Sequence, residues 1–292
     1  MCGIVGLYVK SATLEDNCGA MLAGMLRTMR DRGPDSAGFA IYTAERDSIK
    51  LTVRGPSGTD FTTLATALGA TATVRDTHAV FDVAASHVQA LRLGLQARAP
   101  GLTVVGEGRR MELYKEVGLP ADVAARFGLS AMAGTHAIGH TRMATESAVT
   151  TDGAHPYTTG SDQCLVHNGS LSNHNTLRRM LMREGFGFAT ENDTEVAAAY
   201  LSWRMRDGES LEAALHGALR DLDGFYTFVV GTRTGFAVLR DPIGCKPAVM
   251  AETDDWVAFG SEYRALVDLP GIESARVWEP EPAQVYAWER PS

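Results

Sequence analysis

Short apolar runs separated by turns dominate the last third of the sequence, and they constrain the fold more than any other feature. YTFVVG (226–231), GFAVLRD (235–241), PAVMAET (247–253) and WVAFGS (256–261) follow one another at hairpin spacing. Similar runs open the chain. GIVGLYV (3–9) reads as a buried strand, and FAIYT (39–43) and IKLTVRG (49–55) read as paired strands. GTHAIGHTRMAT (134–145) and QCLVHNGSL (163–171) add two more. Helical spacing separates these groups. Met21, Leu22, Met25, Leu26 and Met29 mark a helix over 20–30, and a second spans 173–184 with Ser172 or Asn173 as its cap. A third runs over 194–205 behind Asp193 and a fourth over 210–222, with a short helix at 262–267 and a closing strand at 284–288. Two groups of antiparallel strands with helices between them predict an α+β layered fold.

Residues 55 to about 130 interrupt this pattern with a strand near Val80, a helix over 87–98, a hairpin of GLTVVGEG with RMELYKEV, and a short helix over 121–127. The reading is one domain over 2–292 with an excursion at about 55–130, a small separate unit being the alternative. At 292 residues a sizeable core needs no metal or disulfide. The formal net charge of -8 argues against nucleic acid or an anionic membrane as partner. No stretch approaches the roughly 20 apolar residues of a membrane span, and no signal peptide opens the chain. Cys2, Cys18, Cys164 and Cys245 form no CxxC pair and no metal-like cluster, which predicts free thiols in a reducing cytoplasm. The four lysines follow Val, Ile, Tyr and Cys, so there is no Gly-Lys pair for a phosphate-binding loop, and neither Gly-x-Gly completes a dinucleotide fingerprint.

Four places can carry chemistry. Cys2 would share its residue with a free α-amine once Met1 is removed; such an amine titrates near pH 8 and can act as a base. The bland reading is a small apolar residue at a strand start. HNG (167–169) offers a side-chain amide beside a glycine, suited to an oxyanion, although Asn-Gly is also the commonest hairpin turn. Arg142, ending GHTR, suits a substrate carboxylate or a core acid. Asp193 in NDTE suits an ammonium group or a helix cap.

Taken in order, MCGIVG, RGPDSAG, GHTRMAT, HNGSL, NDTE and DLDGFYTF, extended by RDPIGCKP and FGSE, resemble the class II glutamine amidotransferases, which are amino-terminal-nucleophile hydrolases. The resemblance implies a four-layer αββα sandwich of two antiparallel sheets between helices. It implies Cys2 as nucleophile, with its own amine moving the proton, and Asn168 with the Gly169 N–H as oxyanion hole. Arg142 would take the carboxylate of L-glutamine and Asp193 its ammonium, with Arg32 and Thr145 shaping the pocket. The products would be glutamate and ammonia, formed through a γ-glutamyl thioester. Sugar-phosphate synthase members often follow GHTR-x-AT with His, whereas Glu146 stands here, so a loop role for that His does not carry over.

No acceptor domain is apparent after residue 262, which predicts that another polypeptide uses the ammonia. YKEVGLPADVAARFGL (114–129) resembles separate amidotransferase subunits related to glutamate synthase, among them the first subunit of N-methylglutamate synthase. The resemblance implies no metal or cofactor in this chain, and synthase-type partner subunits that carry flavin and iron–sulfur clusters. The alternative is a non-catalytic subunit that senses glutamine or serves as an interaction module.

Overall fold

The computed structural model describes residues 2–143 and 149–290. The chain begins with β1 (Gly3–Val9), α1 (Cys18–Thr28) and β2 (Ser36–Tyr42). The next stretch holds β3 (Ile49–Arg54), α2 (Phe61–Ala67), β4 (Thr71–Arg75), β5 (His78–Val83), α3 (Val88–Arg98) and β6 (Thr103–Gly108). It returns through β7 (Met111–Val117), α4 (Pro120–Arg126) and β8 (His136–Arg142). Then come β9 (Tyr157–Gly160), β10 (Gln163–Leu171), α5 (His174–Arg183), α6 (Asp193–Arg206) and α7 (Leu211–Asp221). The last strands are β11 (Gly224–Gly231), β12 (Gly235–Arg240), β13 (Val249–Glu252), β14 (Trp256–Gly260), β15 (Arg276–Trp278) and β16 (Val285–Glu289).

Two antiparallel sheets, ordered β15-β13-β14-β1-β8-β2-β7 and β16-β12-β11-β10-β9, stack face to face. Along β1 the side chains alternate between two destinations. Val5, Leu7 and Val9 pack with Leu22, Met25 and Leu26 of α1 and with Val123 and Ala124 of α4. Ile4 and Tyr8 face the opposite way, onto Val166, Val229 and Phe236 of the second sheet. The far side of that sheet, with Leu165, Phe228 and Leu239, is covered by Leu177, Val196, Leu201 and Leu215 of α5, α6 and α7. Helix, sheet, sheet, helix is the expected αββα order. Because every central strand is covered on both faces, it reads as a continuous apolar run rather than an alternating one.

The strand pairing departs from the sequence reading in two places. β2 pairs with β7 and β8, whereas β3 pairs with β5 and β6, so FAIYT and IKLTVRG are not partners. The proposed β6–β7 hairpin is also absent, since β6 joins β3 and β7 joins β2. Both errors have one cause. A third sheet, β4-β5-β3-β6, captures the strands between β2 and β7 and has its own apolar cluster of Leu51, Phe61, Phe81, Leu91 and Leu95. α2, capped by Asp60 accepting from the Thr63 N–H at 3.0 Å, belongs to this unit and was not foreseen.

Candidate active site

The register of the first sheet places the beginning of the chain. Gly3 pairs with Thr141, so Cys2 continues β1 beside the end of β8, where Arg142 stands. Cys2 is half-buried, and its carbonyl accepts from Arg32 Nε at 3.1 Å. Arg32 is itself buried, and its Nη1 pairs with Glu262 at 2.6 Å. The RGPDSAG turn must lie against the β8 backbone to reach this position. A β-carbon on Gly33 would sit 2.4 Å from the Thr141 carbonyl carbon, so only glycine is accommodated. Arg32 thus holds the Cys2 backbone, and Glu262 holds Arg32.

Asn168 and Gly169 lie within β10, paired through to Thr227 and Tyr226 of β11. The hairpin reading of HNG is therefore displaced. Gly169 adopts φ +153°, and a β-carbon there would stand 2.0 Å from the Phe225 carbonyl oxygen. The Asn168 Nδ2 is buried and has no hydrogen-bond partner among the described residues. A buried donor left without an acceptor costs about 1–3 kcal/mol.

Arg142 and Asp193 line one cleft of about 460 Å³, together with Tyr157, Ser170, His174 and Asn192. This volume is in the range of small-molecule sites, about 300–1,000 Å³. Cys2, Asn168 and Gly169 are not part of this lining. They belong to the strand ends beside it: His140 of β8 lies 3.1 Å through its Nε2 from the carbonyl of His167, the residue before Asn168. Asp193 is not the helix cap. Asn192 caps α6 by accepting from the Thr194 N–H at 2.8 Å. Asp193 Oδ2 accepts from the Leu171 N–H at 2.9 Å, with Oδ1 3.7 Å from His167 Nδ1. The carboxylate is therefore fixed at the positive end of a helix and against β10. Thr145 and Glu146 lie outside the described residues.

Three histidines pack under the cleft. The Thr194 hydroxyl is 2.8 Å from His155 Nε2 and 3.0 Å from His167 Nδ1, and the rings of His140 and His155 stack at 3.9 Å. Burial drives all three toward the neutral form. It pushes His140 down to about 3 and His155 well below the usual range, while the Asp193 charge partly opposes the fall at His167. A neutral set suits this geometry, because the hydroxyl can accept from one imidazole and donate to the other.

One wall of the cleft, residues 189–192, is pinned by charge. Glu195 accepts from the N–H groups of Ala189 and Thr190, both at 2.8 Å, and Arg178 donates to the Thr190 carbonyl at 2.7 Å. The sequence reading assigned no role to Glu262, Thr194, His155 or Arg178. FGSE named Glu262 without a partner, and the Asn-x-x-Glu spacing of 192–195 carried the capping signal for Asn192. Among the described residues, no cluster of His, Cys, Asp or Glu is arranged to hold a metal. None of the helices there is long and apolar enough to cross a membrane.

The αββα stack, with a cysteine at the open end of a central strand, has the architecture of the amino-terminal-nucleophile hydrolases. Among solved structures, the chain resembles glutamine phosphoribosylpyrophosphate amidotransferase from B. subtilis with a TM-score of 0.64 at 21% identity. That likeness covers 99% of this chain and 47% of the other, so the chain spans about half of that structure. A family profile described as a glutamine amidotransferase domain matches residues 140–268. The glutamine amidotransferase-like protein GlxB of Rhizobium meliloti (strain 1021) is 61% identical over 296 residues, covering 99% of this chain and 98% of that one. Glutamine–fructose-6-phosphate aminotransferase of Vibrio cholerae is 36% identical over 155 residues, 52% of this chain and 25% of that one. This chain belongs to the class II glutamine amidotransferase family.

Proposed function

We propose that the chain hydrolyses L-glutamine to L-glutamate and ammonia, and that a separate synthase-type subunit uses the ammonia. The observation that carries this reading is the pairing of Arg142 and Asp193 in one cleft: a guanidinium and a carboxylate suit the two charged ends of an α-amino acid. With Met1 removed, the Cys2 thiol gives its proton to the α-amine and its sulfur adds to the glutamine side-chain carbonyl carbon. Asn168 Nδ2 and the Gly169 N–H receive the developing oxyanion. The amine returns the proton to the departing nitrogen, ammonia leaves, and water cleaves the γ-glutamyl thioester to glutamate. Arg32 and Glu262 hold the Cys2 backbone for this attack.

The acceptor subunit on this reading is related to glutamate synthase or N-methylglutamate synthase, and flavin and iron–sulfur chemistry resides there. Four free cysteines suit a reducing cytoplasm. The test is glutamate release from glutamine by the purified protein, alone and with its synthase subunits, combined with intact-mass measurement. Loss of Met1 and abolition of turnover in Cys2→Ala are expected. Active protein that retains Met1, or a Cys2→Ala protein that still releases ammonia, refutes the mechanism. Glutamine binding without turnover, even with the partners present, would instead identify a sensing subunit.

A further inference from the structure

The second wall of the cleft, residues 150–157, supplies Thr150, Gly153 and Tyr157 to the lining. Unlike the 189–192 wall, it is gripped from β7, the outermost strand of the first sheet, and from the inserted sheet. Lys115 of β7 is buried, and its Nζ donates to the carbonyl oxygens of Ala154 at 2.8 Å, Asp152 at 3.3 Å and Pro156 at 3.5 Å. The same ammonium lies 4.6 Å from the centre of the Tyr157 ring. The neighbouring Glu116 accepts from the Thr151 hydroxyl, and Arg54 of β3 pairs with Asp152 at 2.7 Å. An ammonium has three donors and no acceptor. Three converging carbonyls and an aromatic face match it, and an uncharged side chain would leave those carbonyls turned toward one another.

We infer that Lys115 is a positioning residue for the glutamine site: it gathers the 152–156 carbonyls and so sets where the 150–157 wall stands against Arg142. The link to Arg142 is steric. Its Nη1 lies 2.9 Å from where a β-carbon on Gly153 would stand, so displacement of Gly153 is felt by the guanidinium. Lys115 is not itself part of the cleft lining and reaches it through the Tyr157 ring and this loop. The arrangement also gives a use to the inserted sheet. Arg54 is on one of its strands, and Lys115 and Glu116 are on the strand that leads back from it, so the insertion and the pocket wall share a set of contacts. The YKEVGLP stretch, unexplained by the glutaminase chemistry, contains the lysine at the centre of that set.

This inference rests on the glutamine-hydrolysis reading of the cleft, and the test separates the two. Lys115→Met is compared with wild type by glutamine kinetics and by hydrogen exchange of peptides covering 149–157 and 189–192. The expected result is a rise in KM for glutamine of about tenfold or more with kcat within about threefold, because a misplaced wall weakens binding shared by ground and transition states. Exchange should accelerate in 149–157 and stay unchanged in 189–192. Arg54→Gln, which loosens the same wall from the surface, should move both readouts in the same direction by less, and it serves if Lys115→Met fails to fold. An unchanged KM, or exchange that accelerates across the whole chain, overturns the positioning role. Wild-type protein that neither hydrolyses nor binds glutamine overturns the functional reading instead. The exchange result alone then decides whether Lys115 braces this wall.

Discussion

Mild acid should unfold this protein through its histidines rather than its carboxylates. His78, His136 and His140 are fully buried, and desolvation pushes each down to about 3. In the unfolded chain each titrates near 6.5. Between these values the unfolded state holds a proton that the folded state refuses. The stability is therefore fully present above about pH 6.5 and declines as pH falls toward 3. At pH 5.5 the loss is about 1.4 kcal/mol for each residue, or about 4 kcal/mol for the three. That is a large share of the roughly 5–15 kcal/mol of a typical domain. His155 and His167, lowered by the same burial, add to the loss. Carboxylates do not mask the effect, because those held low by hydrogen bonds, such as Asp60 and Asp76, give up their contribution only below about pH 4. Urea unfolding between pH 7.5 and 5.0 is the assay. The slope of stability against pH below 6 should exceed two protons taken up on unfolding, and His78→Gln, outside the cleft lining, should lower it by one. A stability that stays constant from pH 7.5 to 5.0 would refute the reasoning, because it would mean that these rings are already protonated in the fold.

Gly169→Ala should destabilise by more than about 3 kcal/mol or prevent soluble expression, since the added carbon would stand 2.0 Å from the Phe225 carbonyl oxygen; a melting temperature near wild type would count against this. Glu112→Gln removes the carboxylate that meets the buried Lys50 at 2.9 Å, and thermal unfolding should report a loss of about 3–5 kcal/mol. Asn192→Ala should cost about 1 kcal/mol through its lost cap on α6. Asp193→Asn should leave the melting temperature nearly intact yet weaken glutamine binding at least about tenfold, read by titration calorimetry.

The central strands of both main sheets were legible in the sequence because burial on two faces makes each a short apolar block, whereas the short edge strands β9 and β15, only partly buried, were not. The pairing was not legible either. β2 and β3 are neighbours in sequence, yet they part into different sheets. An apolar run shows that a strand is covered, but not by which partner. Asn168-Gly169 reads locally as a turn, and only the continuous pairing of β10 with β11 turns it into strand. Cys2, Arg142, Asn168 and Asp193 stood out as candidates because each belongs to a motif with its own short signature. Glu262 was not assigned a role because its partner Arg32 is 230 residues away. Lys115 likewise meets carbonyls some 40 residues downstream, through contacts made by backbone oxygens that no residue type announces.

The position of the cleft follows from register more than from any single residue. Antiparallel pairing of Gly3 with Thr141 brings the start of β1 to the end of β8, whatever lies between them in sequence. The ladder from Leu171 to Gly224 carries β10 past Asn168, and the first turn of α6 is tied to that ladder by Asp193 on the Leu171 N–H. Both sheets are apolar on their facing surfaces, so their polar side chains gather where strands begin or end. A helix start placed there adds positive potential and oriented N–H groups. The long insertion leaves this arrangement undisturbed because it departs after β2 and returns at β7, the outermost strand of its sheet. A sheet edge can accept such a unit without shifting the central register. The insertion is therefore free to contribute to one wall of the cleft while the strand ends that carry Cys2, Arg142 and Asn168 stay in place.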